Sequence, residues 1–291
     1  MTESKQEIFM REAFCEAKKS LKEGNKGFGA VLIKDDSTIA SAHDTEISEQ
    51  DSTAHAEINL IRQASKIVGK NLSGCIIVST HEPCPMCSTA ILWSGISAVV
   101  FSISINDSLK DGRKRIKIPF REIMKRAGLD IQIKQGILKE ECMKLYKKDI
   151  REHVKSFLYL NPVRIDELET ELLNKRKKWL DKNNKISNTL KGDDLQKAYK
   201  ILCKKIGIDE RDAPVVEKNC KRIVFHSKNY CPSLEACKLL DLDTREICKK
   251  IYERPADILV KSINPKLRFS RNYDKIRPYC SYCEEMILLE E

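Results

Sequence analysis

The sequence predicts an α/β fold: a three-layer α/β/α domain built on a five-stranded mixed sheet, followed by a mainly helical, cysteine-rich C-terminal domain. Three observations predict it. Helical and strand periodicities alternate through residues 1–157 in the order α-β-β-α-β-α-β-α-β-α, the pattern of one sheet covered on both faces. A helical segment separates the last two strand candidates, which makes that pair parallel, whereas the first two meet at a tight turn and are antiparallel. Near Asn161-Pro162 the composition shifts to Lys/Glu/Asn-rich stretches, and beyond Cys220 it becomes rich in cysteine and tyrosine.

Taken in order, Ile8, Phe9, Ala13, Phe14, Ala17 and Leu21 recur at spacings of three and four, an amphipathic helix closed by Gly24. Gly29–Lys34 reads as a strand, Asp35-Asp36-Ser37 as a turn, and Thr38–His43 as the hairpin partner. Residues Thr53–Val68 are helical, with Ser52 or Thr53 as N-cap. Gly74–Thr80 is a short apolar run of the buried-strand kind, Pro83–Trp93 a turn that becomes a helix, and Ala98–Ile103 another strand. Phe120–Ala127 is helical, Ile131–Leu138 is the closing strand, and Glu140–Phe157 the closing helix. The implied organisation is a domain over 1–157, a charged helical linker over 158–219 and the cysteine-rich domain over 220–291.

Composition excludes several classes. Hydrophobic residues make up 41% of the 291, enough for packed cores. No basic start leads into an apolar run and no stretch of 18 apolar residues occurs, which points to a cytoplasmic protein without a membrane span. Its 12 cysteines then serve metal binding, catalysis or burial rather than a disulfide framework. The net charge of +10 is unevenly spread: residues 110–126 hold 8 Lys/Arg against 2 acidic residues. Such a strip is either a nucleic-acid contact or a solvated helix face.

The chemistry concentrates in Thr53-Ala54-His55-Ala56-Glu57 and, 26 residues after Glu57, Pro83-Cys84-Pro85-Met86-Cys87. An imidazole and two thiolates suit zinc, and C-x-x-C at a helix start lets both sulfurs reach one ion where the helix dipole favours thiolate. Three ligands leave one tetrahedral position open for a water, whose pKa zinc lowers to about 7. Glu57, about 200° round the helix from His55, is badly placed as a fourth ligand but can curl back to shuttle that water's proton. These are the parts needed to deaminate an amino-substituted heterocycle.

The H-x-E…P-C-x-x-C pattern is the signature of zinc deaminases. The chain resembles the cytidine deaminase-like superfamily, and within it the branch of guanine deaminases, fungal-type cytosine deaminases and tRNA adenosine deaminases. The resemblance spans about residues 1–150 and includes Gly27-Phe28-Gly29-Ala30-Val31, Thr80-His81-Glu82-Pro83-Cys84 and Gly136-Ile137-Leu138-Lys139-Glu140-Glu141-Cys142. It implies one zinc held by His55, Cys84 and Cys87, Glu57 as the catalytic proton shuttle, and a homodimer.

Substrate is less sharply marked. Asp44 stands where the branch carries an asparagine that contacts the substrate, and it is either that contact or a strand-end turn residue. An ionised carboxylate accepts but does not donate. Phe28 either stacks on a base or packs in the core, and Trp93 either walls a purine or packs likewise. Pro85 and Trp93 resemble the enzymes of free bases and nucleosides, while the basic strip suits the phosphates of tRNA. The expected activity is hydrolytic deamination of a guanine- or cytosine-type base or nucleoside with release of ammonia. One alternative is tRNA adenosine deamination; another is a zinc-stapled protein that binds nucleic acid or a partner. In the second half, Cys231, Cys237, Cys280 and Cys283 either form a second metal site or are buried thiols.

Overall fold

The computed structural model describes residues 3–110, 112 and 115–291. The chain divides into two compact units, Met1–Leu158 and Tyr159–Glu291.

In the first unit the order is α1 (Glu3–Lys22), β1 (Gly29–Lys34), β2 (Ser37–His43), α2 (Ala56–Val68), β3 (Ile76–His81), α3 (Pro85–Trp93), β4 (Ala98–Ile103), α4 (Ile105–Lys110), α5 (Phe120–Arg126), β5 (Gln132–Gln135), α6 (Lys139–Met143) and α7 (Lys148–Phe157). The five strands lie in the order β2-β1-β3-β4-β5. β1 is antiparallel to both β2 and β3, whereas β3–β4 and β4–β5 are parallel, as the helical connection before β5 requires. The hairpin turns on Asp35 and Asp36, both left-handed (φ 50° and 59°), the backbone of a two-residue loop matched to strand twist.

Residue alternation along the strands decides the layers. Ala30 and Leu32 of β1, Ile77 of β3 and Val99 and Phe101 of β4 face one way, where Leu60 and Ala64 of α2, Ile91 of α3 and Phe120 and Met124 of α5 cover them. On the other side α1 packs along β1, β2 and β3. That packing is close at Gly29, where a Cβ would lie 2.1 Å from the Ala13 carbonyl oxygen, so no larger residue fits.

The second unit runs α8 (Pro162–Lys182), α9 (Ile186–Thr189), α10 (Asp194–Ile206), β6 (Val215–Lys218), β7 (Arg222–Ser227), α11 (Pro232–Leu240), α12 (Thr244–Ile247), a π-helical turn Cys248–Tyr252, α13 (Glu253–Lys261), β8 (Leu267–Arg271) and β9 (Cys283–Leu289). α10 and α13 pack against a four-stranded antiparallel sheet, β6-β7-β9-β8, which the sequence reading does not place. The reason lies in β9: its alternation is broken by an inward-facing Glu285, buried at 5% exposure because Arg271 of β8 pairs with it. Residues expected as a linker also enter this core. Leu195, Ala198, Tyr199 and Leu202 of α10 pack on Ile223, Phe225, Phe269 and Ile287. Among the described residues no helix is long and apolar enough to cross a membrane.

Candidate active site and metal centre

The helix after β2 begins later than its sequence suggests. Thr53 does not cap it; its N–H and hydroxyl both donate to Asp51 Oδ1, at 2.7 and 2.8 Å, in a separate turn. The N-cap is His55, with extended backbone (φ −72°, ψ 155°), so its imidazole projects from the helix end. Cys84 is the N-cap of α3 in the same way (φ −68°, ψ 168°), with Pro85 fixing the first turn. Cys87 then lies one turn inside and is fully buried.

Two helix starts thus meet. His55 Nδ1 lies 3.6 Å from Cys84 Sγ and 3.5 Å from Cys87 Sγ, and the two sulfurs are 3.5 Å apart. Bond lengths of about 2.0–2.1 Å to nitrogen and 2.3 Å to sulfur at tetrahedral angles require edges of roughly 3.5–3.8 Å. The donor set and its spacing therefore fit zinc. The crowding shows in the acidities: contacts with Cys87 and His55 hold the Cys84 thiol well down, the Cys84 contact raises His55, and Cys84 and burial push Cys87 well up.

Glu57, one residue into α2, is 5% exposed. Its Oε1 accepts the Ser79 hydroxyl at 2.9 Å, and burial raises its carboxyl above the ordinary range. Beside it opens a cavity of about 70 Å³, lined by His55, Glu57 and Cys84 together with Phe28, His81, Ile105 and Arg115. Phe28 lines this space and stacks on the buried Tyr146, ring centres 5.2 Å apart. The Arg115 guanidinium lies 5.2 Å from the centre of the same ring.

His81 and Arg115 of the wall, and Tyr146 against Phe28, are given no site role by sequence reasoning. His81 bridges the Glu82 carbonyl (2.9 Å) and the Ser108 hydroxyl (2.6 Å), and Tyr146 shares a hydrogen bond with Thr80 Oγ1 at 2.8 Å. Arg115 belongs to the basic strip, and nothing local distinguishes it from its neighbours. The strip itself divides: Arg115 reaches the cavity, Arg121, Lys125 and Arg126 are exposed on α5, and Asp111, Arg113 and Lys114 lie outside the described residues.

Asp44 is wholly buried rather than a solvated turn residue. Its Oδ1 accepts the Lys26 N–H at 3.2 Å, its Oδ2 makes no hydrogen bond, and burial raises its carboxyl. With Glu46 and His55 it forms a group whose ligand atoms lie within 4.8 Å of one another, but it does not line the cavity. Trp93 requires correction. It is 90% exposed and lines a separate apolar groove with Pro85, Leu92 and Ile123, because the end of α3 turns it away from the metal ligands. Cys231, Cys237, Cys280 and Cys283 also do not form a metal cluster. Among the described residues, the groups of three ligand atoms close enough to share an ion are the two in the first unit.

Residues 3–103 match the family described as cytidine and deoxycytidylate deaminase zinc-binding region. The chain is 36% identical over 137 residues to the tRNA-specific adenosine deaminase of Bacillus subtilis, covering 47% of this chain and 83% of that protein. It is 33% identical over 153 residues to the guanine deaminase of Bacillus subtilis, covering 52% and 90%. A solved structure of guanine deaminase from Bacillus subtilis aligns at 37% identity over 36% of this chain and 69% of that one, with a TM-score of 0.35.

Proposed function

The chain belongs to the cytidine and deoxycytidylate deaminase family, a family of zinc-binding deaminases, and on that premise we propose that it hydrolytically deaminates a free nucleobase or nucleoside of guanine or cytosine type. The observation that carries the reading is Glu57, a buried carboxylate anchored by Ser79 beside the His55–Cys84–Cys87 group and open to a cavity. A purely structural metal site has no use for it.

His55, Cys84 and Cys87 would hold zinc, which when bound would supply the Lewis acidity that makes water a nucleophile near neutral pH. Ser79 occupies Glu57 Oε1, which leaves Oε2 to take the proton of the attacking water. Glu57 passes that proton to the ring nitrogen next to the amino-bearing carbon and then assists departure of ammonia. Phe28 and His81 provide an aromatic wall that keeps the base edge-on to the metal ligands and excludes bulk water. Asp44 is a positioning residue rather than a substrate contact: it holds the main chain of Lys26, which lines the cavity, and stands next to His55.

A second reading, deamination of adenosine in tRNA, is favoured by Lys26 and Arg115 in the cavity lining and by the exposed cations of α5, which suit backbone phosphates. The deciding experiment measures ammonia released by zinc-loaded protein from a panel of bases, nucleosides and unmodified tRNA. Release from a base or nucleoside supports the first reading and release from tRNA alone the second. No release from any of them leaves the zinc-stapled binding protein.

A further inference from the structure

The second unit holds a cavity of about 270 Å³ whose lining includes three arginines from three elements: Arg176 on α8, Arg271 at the end of β8, and Arg277 in the segment before β9. This is just below the volume of ordinary small-molecule sites, about 300–1,000 Å³. Arg271 is 11% exposed at its side chain and donates through Nε to Glu285 Oε1 at 2.7 Å. The other oxygen of Glu285 accepts the Ser227 hydroxyl at 2.5 Å, so this carboxylate is fully engaged. Nη1 of Arg271 is buried without a hydrogen bond, and so is Nε of Arg176. Arg277 keeps one contact with the Asn229 carbonyl, through Nη1 at 2.7 Å, and one with Cys283 Sγ, through Nε at 3.4 Å.

The charges do not balance. Glu285 is the one acidic residue in the lining, against three guanidinium groups that cannot lose their protons. Cys231 and Cys248 do not make up the difference, because burial pushes Cys231 up and Cys248 to about 12, which keeps both protonated. A surplus of two positive charges under partial burial is costly unless an anion supplies the balance. Two guanidinium nitrogens without partners, on arginines that line one cavity, are donors for such an anion.

We propose that this cavity binds a phosphate monoester, its dianionic group held between Arg176, Arg271 and Arg277. The charge of the dianion equals the surplus, and planar guanidinium forks from several directions match a tetrahedral group with three free oxygens better than a planar carboxylate. Ser233, at the first turn of α11, and Tyr252 add hydroxyls at the same wall. Ile206, Ile208 and Ile276 give the organic part of the ester an apolar surface. The site belongs wholly to the second unit and does not depend on which substrate the deaminase takes.

The test is calorimetric titration of the full-length protein at fixed ionic strength with inorganic phosphate, a nucleoside 5′-monophosphate, the matching nucleoside, and acetate. Phosphate and the monophosphate should each saturate at one site per chain. Tighter binding of the monophosphate identifies an ester as the ligand, and equal binding identifies free phosphate. Arg176→Gln and Arg277→Gln should each weaken binding at least about tenfold, the worth of one charge-assisted hydrogen bond, with zinc content and ammonia release unchanged. Arg271 is left intact because its loss would strand Glu285. If one variant does not fold, the other decides. Saturating phosphate should also slow alkylation of Cys231 and Cys283, read by mass spectrometry. Binding that does not saturate, acetate binding as tightly as phosphate, parental affinity in the folded variants, or unchanged alkylation would each overturn the site.

Discussion

Ser79 on β3 donates its hydroxyl to Glu57 Oε1 on α2 at 2.9 Å, with Ser79 wholly buried and Glu57 nearly so. The bond ties the carboxylate to the sheet. On the proposed mechanism a proton shuttle must move little between giving and receiving, and this anchor limits the movement to the other carboxylate oxygen. Glu57→Gln should therefore retain zinc and lose at least about a hundredfold in turnover. Ser79→Ala should also retain zinc and lose less, roughly tenfold, since the shuttle remains but is worse held. Ammonia release and metal analysis on the same preparations check both, and near-parental activity of metal-replete Glu57→Gln would remove the mechanism.

On the proposed reading, Cys84 and Cys87 would hold α3 to the start of α2 through an ion shared with His55. Metal-binding energy there is also folding energy. Cys84→Ser and Cys87→Ser should each lower zinc stoichiometry and melting temperature together, and a chelator should lower the melting temperature of the parent but not of the variants. Full zinc content in both variants would place the ligands elsewhere.

Glu82 looks catalytic by its position next to the metal half-site, yet both its oxygens accept main-chain N–H groups, Ile105 at 2.7 Å and Phe120 at 2.8 Å. It closes the loop that carries Arg115. Glu82→Gln replaces one acceptor by a donor facing an N–H and should cost about 1–3 kcal/mol of stability. Denaturant unfolding measures this, and an unchanged midpoint would contradict it.

His43 lies between Glu16 (2.8 Å) and Glu23 (3.0 Å), away from the cavity. The Glu16 contact raises His43 above its ordinary 6.5, and the His43 contact brings Glu16 down to about 2 from 4.5. The Glu16 contribution to stability is present above pH 4.5 and lost as pH falls toward about 2. That of His43 is complete below 6.5 and lost as pH rises through its raised value. His43→Gln should therefore differ from the parent most between pH 4.5 and 6.5, and less on either side. Melting temperatures across pH 3–9 test the shape (an interval chosen to bracket both groups), and a constant difference would exclude the linkage.

A fragment ending at Phe157 contains all five strands of the first sheet and both metal half-sites. It should fold, bind one zinc and release ammonia from any free base that the full chain deaminates. An insoluble or inactive fragment would show that catalysis needs the second unit.

The sequence by itself determined the first sheet and the meeting of His55, Cys84 and Cys87, because both are written in short-range patterns. Period-two and period-3.6 alternation place Val31, Ile77 and Leu60, and a C-x-x-C pair at a helix start brings two sulfurs together whatever the rest of the chain does. His55 and Glu57 were legible for the same reason, although the helix begins three residues after the expected Thr53 and makes His55 its cap. What needed the tertiary structure is everything set by strand register and helix docking. Burial of Asp44, the stacking of Phe28 on Tyr146 and the outward turn of Trp93 depend on which faces meet, and no local signal encodes that. The second unit shows this most plainly. Arg271 and Glu285 are partners only because β8 and β9 pair in that register, and their mutual neutralisation lets charged residues sit inside strands that alternation alone would reject. Arg176 is about a hundred positions from either of the other cavity arginines, so a cluster that reads as three scattered surface cations exists only once the chain has closed around it.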